Sequence, residues 1–319
     1  MKPAVMMGDP LVFRIQSGSN PHTRTSWGFR KKVNRERAVQ QWHGLASLLT
    51  ELGVYVFVIP PISECPAMVY PANAGFLWKG RFYLSNLISS RQEERGYYQE
   101  FVKRLGFPAD SLPYRFEGEA DFFPVGERFL FTYGVLREQG FQLRFGFPPW
   151  KRIYSFRSDQ RNFSFLKEVV APKGVDAVEL IDSSHYHGDT VFCSFGTQRQ
   201  FLLAYLSKVS EEGANLVRSE FGENLIPLSD FDGRKFAANS FYTETEMGKF
   251  LLIPEGLSLE LIRQIETQGI VPCPVDVSEF MTKGGGSVKC MVCDLGLMEL
   301  KDPAQPEEVR WFRKERLYR

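Results

Sequence analysis

A chain of 319 residues can bury a substantial core as one large domain or two, and its 43% hydrophobic and 24% charged residues are ordinary values for a globular protein. A formal net charge of +1 withholds the broad electrostatic attraction on which nucleic-acid binding usually draws. The N-terminus carries no apolar run long enough for a signal peptide, and no stretch approaches the length of a membrane span. The five cysteines, Cys65, Cys193, Cys273, Cys290 and Cys293, are too few and scattered for a disulfide framework. The expectation is a cytoplasmic protein with reduced thiols and neither a nucleic-acid nor a membrane partner.

In chain order, a strand is expected around Leu11 to Ile15. Residues 16 to 33 follow, polar and rich in Gly, Ser and Thr, as a long loop able to fold over a site. Asn34 then caps a helix whose Val39, Trp42, Leu45, Leu48, Leu49 and Leu52 recur at helical spacing, with Gly53 as its stop. The basic residues Arg30, Lys31, Lys32, Arg35 and Arg37, interrupted by Glu36, read as a solvated loop and helix start. Tyr55 to Ile59 and Arg81 to Ser85 read as strands, and Tyr97 to Leu105 as a second helix ended by Gly106.

Further strands are expected at Arg128 to Tyr133, Val191 to Phe195, Phe201 to Leu206, Phe236 to Tyr242, Lys249 to Ile253 and Ile270 to Pro274. Helices are expected from about Ser207, and after Ser258 as N-cap up to Gly269. The rhythm is that of strand–helix–strand units. Residues 138 to 165, with Pro148-Pro149-Trp150, break it as an insertion or lid.

The chemistry-bearing stretches begin with Lys283-Gly284-Gly285-Gly286-Ser287-Val288-Lys289-Cys290, where glycines permit close backbone approach beside a candidate thiol nucleophile. Alternation in a strand would put His185, His187 and Asp189 on one face, as a general base with its carboxylate or as metal ligands. Zinc is disfavoured because Cys290-x-x-Cys293 has no second pair, and a redox pair because the surroundings read as a glycine loop entering a strand. Glu117, Glu119 and Asp121 lie within five residues beside Phe122 and Phe123. They form either a solvated acidic turn or, drawn into a cleft, a site for a cation. Asn73 sits among small residues ahead of a strand, as a turn asparagine would.

Taken in order, Asn-Ala-Gly at 73–75, Phe-Glu-Gly followed by Asp at 116–121, His-x-Asp at 187–189 and Gly-Gly-Gly-Ser-Val-Lys-Cys at 284–290 resemble the guanidino-group-modifying superfamily. Its members include arginine deiminase, dimethylarginine dimethylaminohydrolase, amidinotransferases and the arginine dihydrolases. Asn73, where other branches carry aspartate, is similar to the dihydrolase branch, as are the stretch from Arg35 to Trp42 and Arg91-Gln92. The resemblance implies an α/β fold, a five-bladed propeller (pentein) of strand–helix–strand units about a pseudo-fivefold axis. The whole chain, 1–319, would be a single catalytic domain.

The activity implied is hydrolysis of the guanidino group of arginine or a derivative through a covalent thiouronium on Cys290, releasing ammonia and yielding citrulline or ornithine. His187 would be the general acid/base, with Glu117 and Asp189 holding the guanidinium and Asn73 at the reacting group. Arg91 and Arg137 would bind the substrate's carboxylate, with Glu119 and Asp121 as further substrate contacts; Glu117 and Glu119 both remain candidates for the catalytic carboxylate. No cofactor or metal is implied, and the only partner is a small guanidino compound. The alternatives are an amidinotransferase passing the group to an amine, and a non-catalytic binding propeller. Oligomeric state is not legible in the sequence.

Overall fold

The computed structural model describes residues 1–299 apart from 139, 144 and 148, together with the backbone of residues 310 and 311. Pro148 of the expected insertion therefore lies outside the described residues. Five sheets repeat one pattern, in which a first strand pairs antiparallel with a second, a helix follows, and a third strand returns parallel to the second. This is the strand–helix–strand crossover that a parallel pair requires.

The first unit holds β1 (Lys2–Gly8), α1 (Arg35–Glu51) and β2 (Tyr55–Ile59), and the second β3 (Gly75–Trp78), β4 (Arg81–Leu84), α2 (Glu94–Arg104) and β5 (Ala109–Ser111). The third runs β6 (Phe122–Val125), β7 (Arg128–Tyr133), a hairpin of β8 (Gly140–Leu143) and β9 (Trp150–Ile153), α3 (Asn162–Val170) and β10 (Gly174–Glu179). The fourth has β11 (Phe192–Phe195), β12 (Phe201–Ala204), α4 (Glu211–Phe221) and β13 (Leu225–Pro227). After the short α5 (Asp230–Arg234), the fifth has β14 (Phe241–Thr245), β15 (Gly248–Pro254), α6 (Leu259–Thr267) and β16 (Val271–Val275). A last helix, α7 (Ser278–Gly284), leads to β17 (Cys293–Met298), which pairs antiparallel with β1 and so supplies the missing first strand of the first unit. A final β18 (Arg310–Trp311) pairs with β2.

The apolar pattern explains the layering. α1 turns Ala38, Trp42, Leu45, Ala46 and Leu49 onto β1 and β2, whose inward residues Val5, Met7, Val56 and Val58 are buried in the same cluster. Each large side chain removed from water this way contributes about 1.5–3 kcal/mol. Asn34 caps α1 by accepting from the Arg37 N–H at 3.1 Å, and Gly53 at φ 86° reverses the chain as expected.

Several expected elements shift. The first strand is Lys2–Gly8, not Leu11 to Ile15. Pro10 has no N–H for a ladder, and residues 10–12 form a 3-10 turn capped by Asp9, whose carboxylate accepts from Leu11 N at 2.9 Å. The helix expected from Ser207 begins at Glu211, because Ser210 accepts from Gly213 N and 206–208 is a 3-10 turn. The strand expected from Phe236 begins at Phe241, since Phe236 takes φ 60° in a turn closed by Asn239 N on the Phe236 carbonyl. Within 138–165 the break in rhythm is the β8–β9 hairpin, and from Asn162 the chain rejoins the repeat as α3.

Candidate active site

The first strand of each unit is entered through a short turn. Four of these turns are 3-10 helices, at Pro71–Asn73, Gly118–Ala120, Gly188–Thr190 and Lys289–Met291, and they pack on one another. The fifth, before β14, ends in Asn239. Residues far apart in sequence, namely Asn73, Glu117, His187, Asp189, Asn239 and Cys290, are therefore gathered where the five units meet.

His187 Nε2 lies 2.7 Å from Glu117 Oε2, both side chains being buried. Burial opposes charge on each, but their mutual hydrogen bond and nearby charges outweigh it. Asp121 and Glu117 raise the imidazole above its ordinary value, while His187 and Arg157 hold Glu117 down at about 2. Both shifts favour the imidazolium–carboxylate form of the pair, in which His187 carries a proton it can donate. Cys290 Sγ donates to Asp189 Oδ2 at 3.2 Å, and burial, with Asp189 adding to it, pushes the thiol well above its ordinary value. Burial likewise raises Asp189 to about 6.

Cys290, His187, Glu117, Asn73 and Arg91 line one pocket of about 290 Å³, roofed in part by Phe13 to Asn20 of the N-terminal loop. Arg91 is nearly saturated. It makes a two-pronged pair with Glu94 (2.9 and 2.7 Å) and donates to Asn73 Oδ1 at 2.7 Å and to the Ala67 carbonyl at 3.2 Å. That contact fixes the Asn73 amide with its Nδ2 buried and without a partner.

The structure does not bring every predicted residue into this pocket. Arg137 is exposed and offers its backbone N–H to Ser155; it lines, with Glu138, an adjoining cleft that shares Ser17, Ile88 and Arg157 with the pocket. Glu119 pairs with Lys289 and accepts from Asp294 N at 3.0 and 3.2 Å; it lines a second cavity of about 220 Å³, which Asp189 also borders. Asp121 is a bracket: it accepts from Thr132 Oγ1 (2.7 Å), Ser158 Oγ (2.6 Å) and Gly188 N (2.9 Å), and so holds the turn that carries His187. Alternation along a strand also fails for the histidines, because 182–190 is turn and 3-10 helix. His185 stacks at 5.3 Å on Phe236, outside the pocket.

Three residues escaped the sequence reading. Arg157 is 2% exposed and lines the pocket. Its Nη2 donates to the Ser19 carbonyl at 2.9 Å, leaving Nε and Nη1 without partners. The β8–β9 hairpin separates Arg157 in sequence from Arg137, the arginine to which the resemblance points. Asn239 accepts through Oδ1 from the N–H groups of Ser287 (2.9 Å) and Cys290 (3.1 Å), and its Nδ2 donates to Sγ at 3.2 Å. Its signal was present: Ala238-Asn239-Ser240 before β14 echoes Ala72-Asn73-Ala74 before β3. Tyr186 packs against His187 at 4.6 Å, takes a hydrogen bond from Asn20 Nδ2 and carries Arg157 over its ring.

The glycines have identifiable causes. A Cβ on Gly284 would stand 1.7 Å from the Tyr70 hydroxyl, one on Gly286 would meet Cys290 Cβ and the Tyr70 ring at 2.8 Å, and Gly285 takes φ +83° at the end of α7. Gly188 is equally constrained, with Thr132 Oγ1 at 2.2 Å from where its Cβ would lie. Among the described residues no group of three or more His, Cys, Asp or Glu side chains is placed to hold a metal ion. Nor is any described helix long and apolar enough to cross a membrane.

The family model of eukaryotic N,N-dimethylarginine dimethylhydrolase matches residues 151–297. A dimethylarginine dimethylaminohydrolase of Mycobacterium tuberculosis is 27% identical over 292 residues, covering 91% of this chain and 84% of that protein. The bifunctional arginine dihydrolase/ornithine cyclodeaminase AgrE of Nostoc is 28% identical over 264 residues, covering 82% of this chain and 33% of that protein, so the chain spans about a third of AgrE. Among solved structures, the substrate-bound N-terminal domain of ArgZ, a cyanobacterial arginine dihydrolase, superposes with a TM-score of 0.79 at 23% identity, over 92% of this chain and 98% of that one. A dimethylarginine dimethylaminohydrolase adduct gives 0.66 at 17% identity, over 92% of this chain and 100% of that one.

Proposed function

We propose that this chain is a member of the guanidino-group-modifying superfamily, similar to its arginine dihydrolases, and that it hydrolyses the guanidino group of arginine or a close derivative through a covalent intermediate on Cys290. The observation that carries the reading is the set of buried polar atoms left without partners on Glu117, Asn73 and Arg157, which line one pocket, and on Asp189, which accepts from the Cys290 Sγ of that pocket. Glu117 Oε1 and Asp189 Oδ1 can only accept hydrogen bonds, while Arg157 Nε and Nη1 and Asn73 Nδ2 can only donate. That is the complement of a substrate with a planar cation at one end and a carboxylate at the other.

Each step follows from a named group. A guanidinium held by Glu117 and Asp189 brings positive charge to a thiol that burial and Asp189 otherwise keep protonated, so substrate binding favours the thiolate. Sγ attacks the guanidinium carbon, and that carbon–nitrogen bond breaks as His187 gives its proton to departing ammonia. The neutral imidazole then takes a proton from water, which adds to the thiouronium carbon. The carbon–sulfur bond breaks, returning the sulfur and leaving a ureido product. A crystal structure of ArgZ's N-terminal domain covalently bound to a reaction intermediate supports this chemistry in that relative.

Asn73 favours two rounds. A neutral amide donor facing a neutral ureido group leaves no buried charge uncompensated, where an aspartate would, so the ureido intermediate can be held for a second attack that yields ornithine. The five repeated units are read as blades closing round a pseudo-fivefold axis into a single catalytic propeller, with the β8–β9 hairpin outside the repeat. Counting ammonia and identifying products by mass spectrometry tests the proposal. It requires two ammonia and ornithine from arginine, and Asn73→Asp should shift the product toward citrulline. A new guanidino compound formed only when glycine or lysine is added would instead make the protein a transferase. No turnover of any guanidino compound would leave only a binding propeller.

A further inference from the structure

Two surface segments that the catalytic reading does not use come together. The loop 24–30 presents Trp27 and Phe29, and the β8–β9 hairpin presents Phe141, Leu143, Phe145, Phe147 and Trp150, with Leu143 85% exposed and Phe145 fully so. Trp27 and Phe147 meet edge to face at 5.5 Å, which joins the segments into one patch. In the hairpin register Phe141 lies opposite Arg152 and Leu143 opposite Trp150, so these four share a face. Among the described residues the hairpin pairs with no third strand, and a two-stranded ribbon alone is marginally stable in water.

The charge on these segments has one sign. Between Asp9 and Glu36 the sequence holds six Lys or Arg and no acid, and between Glu138 and Asp159 four Lys or Arg and no acid, in a chain whose net charge is only +1. Arg24 lies close enough to Arg152 and Arg30 that, after burial, their repulsion lowers its pKa, and the Arg152 guanidinium sits 4.8 Å over Phe141.

We propose that this patch docks on an anionic lipid bilayer, the aromatic tip entering the headgroup region while Arg30, Lys151 and Arg152 face lipid phosphates. The expectation of no membrane partner rested on the lack of a spanning segment, which peripheral docking does not need. A second copy is disfavoured because a twofold contact would set these cations against themselves. An acidic protein would answer the charge but not a protruding aromatic tip, for which a deformable apolar medium is the better match.

The test is co-sedimentation of the full chain with phosphatidylcholine vesicles, with and without phosphatidylserine. Binding should be at least about tenfold tighter to the anionic vesicles and weaken with salt, each cation near the surface contributing roughly fivefold. Leu143→Ser/Phe145→Ser/Phe147→Ser should lose about tenfold or more, and Arg30→Glu/Lys151→Glu a similar amount, with turnover and thermal melting unchanged. A blue shift of tryptophan emission on anionic vesicles should disappear in the serine variant. Failure to bind either vesicle, equal binding to both, or full binding by the serine variant overturns the proposal. So does a concentration-dependent dimer that the serine variant abolishes, which would make the patch a self-interface.

Discussion

Arg157→Ala separates substrate anchoring from chemistry. Arg157 is buried, its Nη2 is committed to the Ser19 carbonyl, and Nε and Nη1 are free to hold a carboxylate. Removing one partner of a buried, hydrogen-bonded charge pair costs about 2–5 kcal/mol. Taking about 3 kcal/mol, KM for arginine should rise by roughly two orders of magnitude, with kcat falling far less. Arginine and its decarboxylated analogue, compared with wild type and variant, isolate the contact. The wild type should strongly prefer arginine, and the variant should lose most of that preference through arginine alone. Arg157 also helps to depress Glu117, so a modest loss common to both substrates is expected. If both substrates lost equally, or arginine lost nothing, Arg157 would be a scaffold for the N-terminal loop and the carboxylate assignment would be refuted.

Asn239→Ala should leave the N–H groups of Ser287 and Cys290 unpaired at a cost of about 1–3 kcal/mol, lowering Tm and cutting kcat more than it raises KM. Glu117→Gln should let the His187 pKa fall, moving the alkaline limb of the kcat–pH profile to lower pH. The same variant tests linkage. Because Glu117 is held at about 2 against its ordinary 4.5, its contribution to stability is complete above pH 4.5 and lost as pH falls toward 2. That contribution should be missing from melts of the variant over this range. Gly188→Ala should overpack against Thr132 by about 1–3 kcal/mol and displace the His187 turn, seen as a lower Tm with reduced kcat.

The sequence carried the elements with strong local signals. Tyr55–Ile59 and Arg128–Tyr133 are strands at the expected bounds, and the helix after Asn34 ends where Gly53 reverses the chain. It misplaced elements whose boundaries depend on tertiary contacts, such as β1, which is buried between β2 and β17 although its sequence is short and ends at Asp9-Pro10. Cys290, His187, Glu117 and Asn73 were legible because their motifs are contiguous, and they line one pocket. Arg157 was not, since no motif surrounds it and the β8–β9 hairpin separates it by twenty residues from Arg137. Glu119 was ambiguous because proximity in sequence to Glu117 says nothing about which side of a 3-10 turn each faces; the pairing with Lys289 decides that.

The most direct test of the central claim is rapid acid quenching of the protein with arginine, followed by peptide mass spectrometry. The predicted result is an adduct of substrate minus one ammonia on the peptide containing Cys290, formed and lost at rates compatible with turnover and absent in Cys290→Ser, which should also be inactive. Undiminished turnover by Cys290→Ser, or an adduct on another residue that turns over in its place, would contradict the account.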